Sequence, residues 1–374
     1  MDITIIADGV PVNGQTLSAG ATAQIPDPDA LVLIERGVAV PSNQARQPGT
    51  VPEPANPVSR IIGWLATSVA NSIQGTRPVA ALRAILGTQS NVDVAIVPRG
   101  QGALSLAVPD NATAGGSKRG ANAIDLQLIR SAASQVASGS NAVALGLQNT
   151  ANGNNSVALG QSNTTSGQNA LAAGRSHTVG GNDSACLGGA SSTASGSQAV
   201  VVGGASHTAS GNNSAVVGGV NGTTNGINGQ VVTPHNSDAA GRYQHSLTGL
   251  RAATTGATLT RATADGAAGG TSNQLTLRNN SAFRFVARIV AMDTVTLDAK
   301  EWEVVGLIKR GATAASTALV GSPSITSNFA DANAASWTVA VVADTTNGAL
   351  GINVQGAGTN SIRWSCQVQA NEVN

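Results

Sequence analysis

A repeating alternation of apolar and polar positions runs through the middle of the chain, from Ser138 to Thr224. In each unit two apolar residues stand one position apart, and stretches rich in glycine, serine and asparagine separate one pair from the next. Apolar residues at every second position are typical of a short β-strand with one face turned inward. We therefore expect the paired residues to form the core of the repeat. They are Val143, Leu145, Val157, Leu159, Leu171, Leu187, Val200, Val202 and Val217.

The units have a fixed length, three of 14 residues followed by three of 15. Each has a glycine at its second position, another after its apolar stretch, and a threonine next to its end. Glycine adopts positive φ without strain, so we expect these glycines to form tight turns on either side of each strand. A turn-strand-turn unit of fixed length predicts a β-solenoid or β-roll with stacked polar ladders. The second-position glycines are Gly139, Gly153, Gly167, Gly181, Gly196 and Gly211.

Each coil of such a solenoid would bury one modest apolar pair and leave its sheet edges exposed to water. The composition offers little else, because the chain has 45 glycines and only 2% aromatic residues, which usually dominate a compact core. Winding three copies together would cover the edges and complete the core. The sequence therefore predicts an elongated, all-β homotrimeric fibre in which residues 138–224 form the shaft.

The clearest alternation in the chain begins at about Leu275 and predicts several antiparallel strands. Phe283 and Phe285, for example, would share one face of a strand that has Arg284 and Arg288 on its other face. Strands at this spacing favour a β-sandwich or jelly roll. We assign residues 251–374 to this domain, a candidate receptor-binding head, and residues 225–250 to a connector.

The first part of the chain divides into shorter segments. Residues 1–45 are predicted to be a small β-rich module that docks the fibre, with a hairpin at the sequence DGVPVNG and a helical run at 27–41. Residues 46–58 are a proline-rich linker. Apolar residues at three- and four-residue spacings predict a helical, trimerising segment at 59–90, and residues 91–137 return to strand alternation as the entry to the shaft.

Charge and cysteine content narrow the possible partners. The net charge is +1, whereas nucleic acids and anionic membranes call for a basic surplus, so we expect neither as a partner. The first residues lack the basic and apolar regions of a secretory signal, and no stretch reaches the ~20 apolar residues of a membrane span. We expect synthesis in the cytoplasm and no membrane insertion. Cys186 and Cys366 lack metal-like spacing and are expected to be buried free thiols, with a disulfide as the alternative.

Two histidines could carry chemistry. His177 and His207 occupy the same position of their units, where other units have Asn149, Asn163 or Ser192. A three-fold axis could bring copies of such a histidine together around a metal or an anion. The alternative, which the sequence favours, is a polar ladder in which histidine replaces asparagine.

Carboxylates and tryptophans are the other candidates for a catalytic or sugar-binding role. Four carboxylates cluster in a predicted strand-turn-strand: Asp293, Asp298, Glu301 and Glu303. Solvated charges are typical of such a place, and a glycosidase-like pair is the alternative. Three tryptophans could stack on sugars, but their inward-alternating positions favour a core role: Trp302, Trp337 and Trp364. We expect no enzymatic activity, no cofactor and no metal.

Two stretches resemble known families. The run Asn155–Gly160, NSVALG, resembles the head repeats of trimeric autotransporter adhesins, and this likeness covers about 90 of the 374 residues. It implies a trimeric, left-handed parallel β-roll. The stretch 108–139, which runs straight into the repeats, is similar to phage and prophage tail-fibre proteins. That resemblance implies a homotrimer on a virion, with its N-terminal end docked to the particle and its distal end facing the host.

The resulting hypothesis is a bacteriophage tail fibre that attaches to a host-surface polysaccharide or protein through its C-terminal domain. A capsid-attached head fibre or decoration protein fits the same features, because both need only a small docking module. A bacterial trimeric surface adhesin is disfavoured by the missing export signal and membrane anchor. A depolymerase tailspike is disfavoured by the lack of paired carboxylates.

Overall fold

The computed structural model describes residues 98, 100–235 and 238–374, together with the backbone of several strands before them. The chain divides into two units, Met1–Val97 and Pro98–Asn374. In the first unit three strands form an antiparallel sheet in the order β4-β1-β5, and β2 and β3 form a hairpin. These strands are Asp2–Ile5 (β1), Val10–Val12 (β2), Gln15–Leu17 (β3), Thr22–Gln24 (β4) and Ala39–Pro41 (β5).

The helical segment predicted at 59–90 is wrong where the structure describes it. Thr67–Ala70 (β6) and Pro78–Ala81 (β7) are strands that pair antiparallel, with Val69 opposite Val79. Short runs of β-branched and small residues suit a strand pair as well as a helix face, and here the pairing decides. The end of the helix predicted at 27–41 is likewise the strand β5. The rest of both predicted helices and the linker lie outside the described residues.

The second unit begins with a β-solenoid of about seven turns. Its long sheet stacks strands in parallel, each aligned with the equivalent residues of the next unit, such as Val143 with Val157. The strands are Leu104–Ser105 (β8), Ile124–Gln127 (β9), Val143–Leu147 (β10), Val157–Gln161 (β12), Leu171–Arg175 (β14), Ala185–Ala190 (β16), Val200–Val202 (β18) and Ala215–Val217 (β20). A shorter parallel sheet comprises Thr150–Ala151 (β11), Thr164–Thr165 (β13), Thr178–Val179 (β15), Thr193–Ala194 (β17) and Thr208–Ala209 (β19).

The solenoid has one full coil before the repeat predicted from the sequence, and β8 extends its long sheet by a further strand. Strand β9 pairs in register with β10, so that Asp125 lies beside Ala144. The sequence RGANAIDL at 119–126 then matches SGSNAVAL at 138–145. The loop that follows β9 lengthens this unit beyond 14 residues, which hides the match from a search for fixed spacing.

Small side chains fill the interior of the coils. The buried residue of each long strand is the one between the two members of the apolar pair, and the short strands contribute a second buried column. In the first column Ala gives way to larger residues toward the C-terminal end: Ala144, Ala158, Ala172, Cys186, Val201, Val216 and Val232, all fully buried. The interior column thus consists of small side chains, with valine in the last three positions.

Side chains also close the two ends of the solenoid. At the first coil Gln127 Oε1 accepts the Asn149 N–H at 2.8 Å and Gln127 Nε2 donates to the Asn149 carbonyl at 2.9 Å. At the last coil Gln244 makes the same pair of bonds with Thr223, at 3.1 and 2.9 Å. Each glutamine amide thus takes the place of the peptide group that a further coil would supply, so no edge amide is left unpaired at these points.

A buried ion-pair group closes the N-terminal end of the interior. Asp125 occupies the column that alanine fills in the next coils, and its Oδ2 accepts from Arg119 Nε at 2.7 Å and Arg130 Nη2 at 3.1 Å. All three side chains are almost completely buried. A buried charge is tolerated only when it is paired, so the two arginines make this carboxylate compatible with the core.

The long sheet of the solenoid continues into an antiparallel domain. Val231–Pro234 (β21) pairs parallel with β20 and antiparallel with the next strand, and the sheet then runs in the order β22-β31-β25-β26 with β27 and β28 at its edge. These strands are Tyr243–Thr255 (β22), Ser281–Asp293 (β25), Ala299–Arg310 (β26), Ala318–Leu319 (β27), Ser324–Thr326 (β28) and Ser361–Val373 (β31). The solenoid and the terminal domain therefore share one continuous sheet.

A second antiparallel sheet covers the inner face of this domain. It contains Leu259–Arg261 (β23), Leu275–Thr276 (β24), Thr338–Asp344 (β29) and Ala349–Gln355 (β30). The two sheets share one hydrophobic cluster, to which Phe283 and Phe285 contribute from one sheet and Ile352 from the other. The described helices are two single turns of 3₁₀ type, Ala314–Ser316 and Ala332–Ala334. Within the described ranges, no helix has the length and apolar character needed to cross a membrane.

Candidate functional site

The apolar pairs of the repeat lie on the outer face of the long sheet, one residue out of register with the buried column. The assignment of these pairs to the coil interior was therefore wrong for the single chain. Several of them are two-fifths exposed: Leu187 at 40%, Val202 at 42% and Val217 at 42%. The interior column holds Ala, Cys and Val, whereas the leucines of the pairs lie on the outer face.

The outward pairs form two straight rows because successive strands align residue for residue. Val157 lies beside Val143 and Leu171, and Leu159 beside Leu145. The rows continue through β16, β18 and β20 to Val231, which is 38% exposed. A continuous aliphatic stripe of this kind on a chain otherwise rich in polar side chains marks an interaction surface. We call it the outer stripe.

The second-position glycines are needed for close approach between coils and not for positive φ. A Cβ on Gly153 would lie 1.9 Å from the carbonyl oxygen of Gly167, and the equivalent distances along the stack are similar. The positive φ angles of this turn belong instead to polar residues two positions later, such as Asn155 at 56°. The equivalents are Asn141, Asn155, Asn169, Asp183, Gln198 and Asn213.

The glycines that follow the apolar stretch behave as the sequence predicts. Gly146 has φ of 112° and Gly160 of 106°, and the later units show the same sign. Asparagine tolerates the left-handed region better than other side-chain-bearing residues, which explains its frequency at the other turn. Several of these asparagines also bond to their equivalents, as Asn141 Nδ2 does to Asn155 Oδ1 at 3.0 Å.

His177 and His207 lie in a buried polar ladder inside their own coils. Asn163 Oδ1 accepts the His177 N–H at 2.9 Å, and His177 Nδ1 accepts the Ser192 N–H at 3.2 Å. His207 Nδ1 accepts the Gly222 N–H at 3.0 Å in the same way. Both histidines are at most 1% exposed. The ladder interpretation is confirmed, because rings enclosed by their own coil do not face a neighbouring chain.

The ladder requires neutral histidines. Nδ1 must carry a lone pair to accept the backbone N–H of the next coil, and burial lowers the pKa of both rings below the ordinary value of 6.5. Within the described ranges no group of three or more His, Cys, Asp or Glu side chains could hold a metal ion. The histidines thus serve the stacking of coils.

Each member of the predicted carboxylate cluster has a structural partner. Asp293 is buried and accepts the Val295 N–H at 2.7 Å, while a hydrogen bond from Asn360 and those from the turn lower its pKa. Asp298 accepts from Thr296 Oγ1 at 2.6 Å. Glu303 pairs with Arg288 at 3.4 Å, and both are about half exposed. A carboxyl group with a lowered pKa, such as Asp293, is unsuited to the general-acid role of a glycosidase.

The tryptophans and cysteines belong to the core. Trp302 and Trp364 stack with ring centroids 5.4 Å apart, Trp337 approaches Trp364 at 6.2 Å, and all three are at most 4% exposed. The core interpretation of these rings is confirmed. Cys186 and Cys366 are buried free thiols, and burial raises the pKa of each to about 12. Neither thiol is poised to react at neutral pH.

One family model matches the chain. It describes a grass antifreeze beta roll and matches residues 120–218. The match begins at Gly120, where the structure also places the first full coil, and it ends in the last repeat. It covers less than half of the chain. No curated protein matches the sequence.

Two solved structures are similar over larger spans, at low identity. The Acinetobacter baumannii phage AM24 tailspike protein shares 12% identity over 72% of this chain, with a TM-score of 0.20. The Acinetobacter phage vB_ApiP_P1 tailspike protein shares 10% identity over 62% of this chain, with a TM-score of 0.18. This chain spans 57% and 51% of the length of those two chains. The family model thus agrees with the structure on a β-roll within residues 120–218.

Proposed function

We propose that this chain is the subunit of a homotrimeric bacteriophage fibre that holds the virion to its host. Residues 1–45 dock the fibre to the particle, the solenoid forms a rigid shaft, and residues 251–374 form the distal receptor-binding head. The observation that carries the proposal is the outer stripe, because a chain that works alone gains nothing from rows of partly exposed aliphatic side chains along its solenoid.

A symmetric trimer accounts for the stripe. Three solenoids that turn their long sheets toward a common axis would remove the aliphatic rows from water, at roughly 25 cal/mol for each Å² buried. The rows run along the stack, so every coil contributes to the interface, with Ala173, Ala185 and Ala215 contributing less than the Val and Leu positions. Three heads at one tip then give avidity from individually weak sites.

The sequence order supports the same arrangement. The two stretches that resemble adhesin head repeats and tail fibres coincide with the solenoid and its first coil. A thin shaft with an enlarged terminal domain is a suitable form for attachment at a distance. Adhesion requires neither the paired catalytic carboxylates nor a cofactor, and the absence of enzymatic activity remains a prediction.

The native mass of the full-length protein tests the assembly. Light scattering after size-exclusion chromatography should give about three times the 36.9 kDa chain mass. Replacing two neighbours of the outer stripe, Leu187→Lys with Val202→Lys, should dissociate the trimer because three pairs of charges would meet at the axis. Thr178→Lys, on the exposed side of the short sheet, is the matched control and should leave the mass unchanged.

Two results would overturn the assembly. One is a compact monomer for the natural chain. The other is a trimer that survives both lysines while circular dichroism shows an intact solenoid. Antibody labelling of intact particles against residues 1–45 and against the head would distinguish tail attachment from capsid attachment.

A further inference from the structure

We infer that a cleft beside Phe329 binds a neutral or amine-bearing saccharide of the host surface. This inference rests on the proposed adhesive function and assigns its contact site. The cleft has a volume of about 460 Å³ and lies between the start of β26 and the segment after β28. Its lining residues are Val290, Ala299, Lys300, Glu301, Asn328, Phe329, Ala330 and Asp331.

The cleft lies at the end of the domain that is suited to contact with a receptor. Strands β26 and β28 stand at the end of the long sheet opposite to the solenoid. A ligand bound there meets the part of the chain farthest from the shaft in strand order. Its volume falls in the range of ligand sites that hold a small molecule or one or two sugar rings.

Exposing the Phe329 side chain to water is unfavourable, and the packing of the fold does not explain this exposure. The chain has three phenylalanines; Phe283 and Phe285 are at most 1% exposed, whereas Phe329 is 75% exposed. Val290, which lines the same cleft, is 54% exposed. An exposed aromatic ring beside an aliphatic side chain offers a flat apolar platform, and the C–H face of a pyranose ring is a flat apolar partner of matching size.

Hydrogen bonds hold the platform in place. Glu301 Oε1 accepts the N–H groups of Asn328 at 2.6 Å and Phe329 at 3.2 Å, and the Glu301 N–H donates to the Phe329 carbonyl at 3.1 Å. Asp331 Oδ2 accepts the Ala299 N–H at 2.8 Å. The segment is therefore fixed against β26 before a ligand arrives, which reduces the entropy lost on binding.

The polar groups of the cleft match hydroxyl and amine donors. In the described part of the chain, Glu301 Oε2 and Asp331 Oδ1 accept no hydrogen bond. The one cation of the lining, Lys300, is engaged: its Nζ donates to the carbonyls of Ala335 at 2.8 Å and Trp337 at 3.0 Å. The cleft thus presents two carboxylates and an occupied ammonium group. This balance favours neutral or amine-bearing sugars and disfavours sugars that carry carboxylates.

Binding of the full-length protein to an array of bacterial surface polysaccharides tests the inference. The array should include neutral, amine-bearing and uronate-rich glycans. We expect binding to neutral or amine-bearing glycans, a loss of at least ten-fold in apparent affinity for Phe329→Ala, and retention for Phe329→Tyr. Val320→Ala, an exposed aliphatic residue (44%) on the same domain, is the matched control and should bind as the natural chain does.

The outcomes distinguish a failure of the cleft assignment from a failure of the proposed trimeric fibre. Glycan binding that is unchanged in Phe329→Ala, or that prefers uronate-rich glycans, would overturn the cleft assignment while leaving the adhesive function standing. Binding to no glycan on the array would overturn the saccharide as ligand. A monomeric mass by light scattering would overturn the trimeric fibre, and a Phe329-dependent glycan signal would then still support the cleft.

Discussion

Replacing the buried carboxyl group Glu372 by glutamine should make stability less sensitive to pH. Glu372 is 5% exposed on β31, and burial raises its pKa from the ordinary 4.5 to about 7. Its oxygens accept hydrogen bonds from Ser246 Oγ and, at 2.7 Å, from Gln244 Nε2. Those bonds and the charge of Arg278 lower the pKa again but do not offset the burial.

Whether stability rises or falls with pH depends on which state, folded or unfolded, binds the Glu372 proton more tightly. The folded chain keeps the Glu372 proton up to about pH 7, whereas the unfolded chain loses it above about pH 4.5. Ionisation therefore favours the unfolded state as the pH rises through this window. At ~1.4 kcal/mol for each pH unit, the loss of unfolding free energy reaches about 3 kcal/mol and stays constant above pH 7.

Glu372→Gln removes this loss and keeps a side chain of the same shape that can bond to Gln244. Urea unfolding, followed by tryptophan fluorescence at fixed protein concentration, should give similar stabilities for both proteins at pH 4. At pH 8 the variant should be more stable by about 3 kcal/mol. Glu303→Gln, at a half-exposed ion pair, is the matched control. A difference that does not change between pH 4 and pH 8 would refute the reasoning.

Three further substitutions and one control variant test the solenoid. Gly153→Ala should prevent stacking of the coils because its Cβ would lie 1.9 Å from the Gly167 carbonyl oxygen. Gly188→Ala is the control: its Cβ meets open space, so its positive φ should lower the unfolding free energy by only about 1–2 kcal/mol. Thermal melting should therefore show a much larger loss of stability for the first variant. His177→Asn keeps the ladder and removes a ring whose lowered pKa costs stability as the pH falls below 6.5, so urea unfolding should show a smaller loss in acid. Asp125→Ala leaves two buried arginines unpaired and should destabilise by about 3–5 kcal/mol in the same assay; an unchanged midpoint would contradict the ion-pair role.

The repeat spacing was enough to predict a solenoid but not which face of its strand is buried. Alternation establishes only that Val143 and Leu145 share a face. Because these residues are more hydrophobic than Ala144, the sequence predicted that their face is buried. Alternation alone does not distinguish the two faces of the strand, and the structure buries Ala144 instead. The second-position glycines show the same limit, because the contact that requires glycine is with the next coil and not within the turn.

The terminal domain was predictable where its pattern is local and not where chain segments meet. The alternation on β25 and the inward tryptophans were sufficient to indicate its core. The cleft beside Phe329 arises because a segment after β28 lies against the start of β26, roughly 28 positions away, as in the bond from the Phe329 N–H to Glu301. A lone phenylalanine in a polar loop gave no signal for this meeting.

The glutamine side chains that close the two ends of the solenoid bear on how its length can change in evolution. Because the coils to which Gln127 and Gln244 bond in this way are the outermost ones, whole units can be gained or lost between them without altering either end. Each unit would change the reach of the shaft by one strand spacing, about 4.8 Å. Unequal recombination between the coding repeats would therefore alter this length in even steps, while the segments on either side of the solenoid are inherited unchanged.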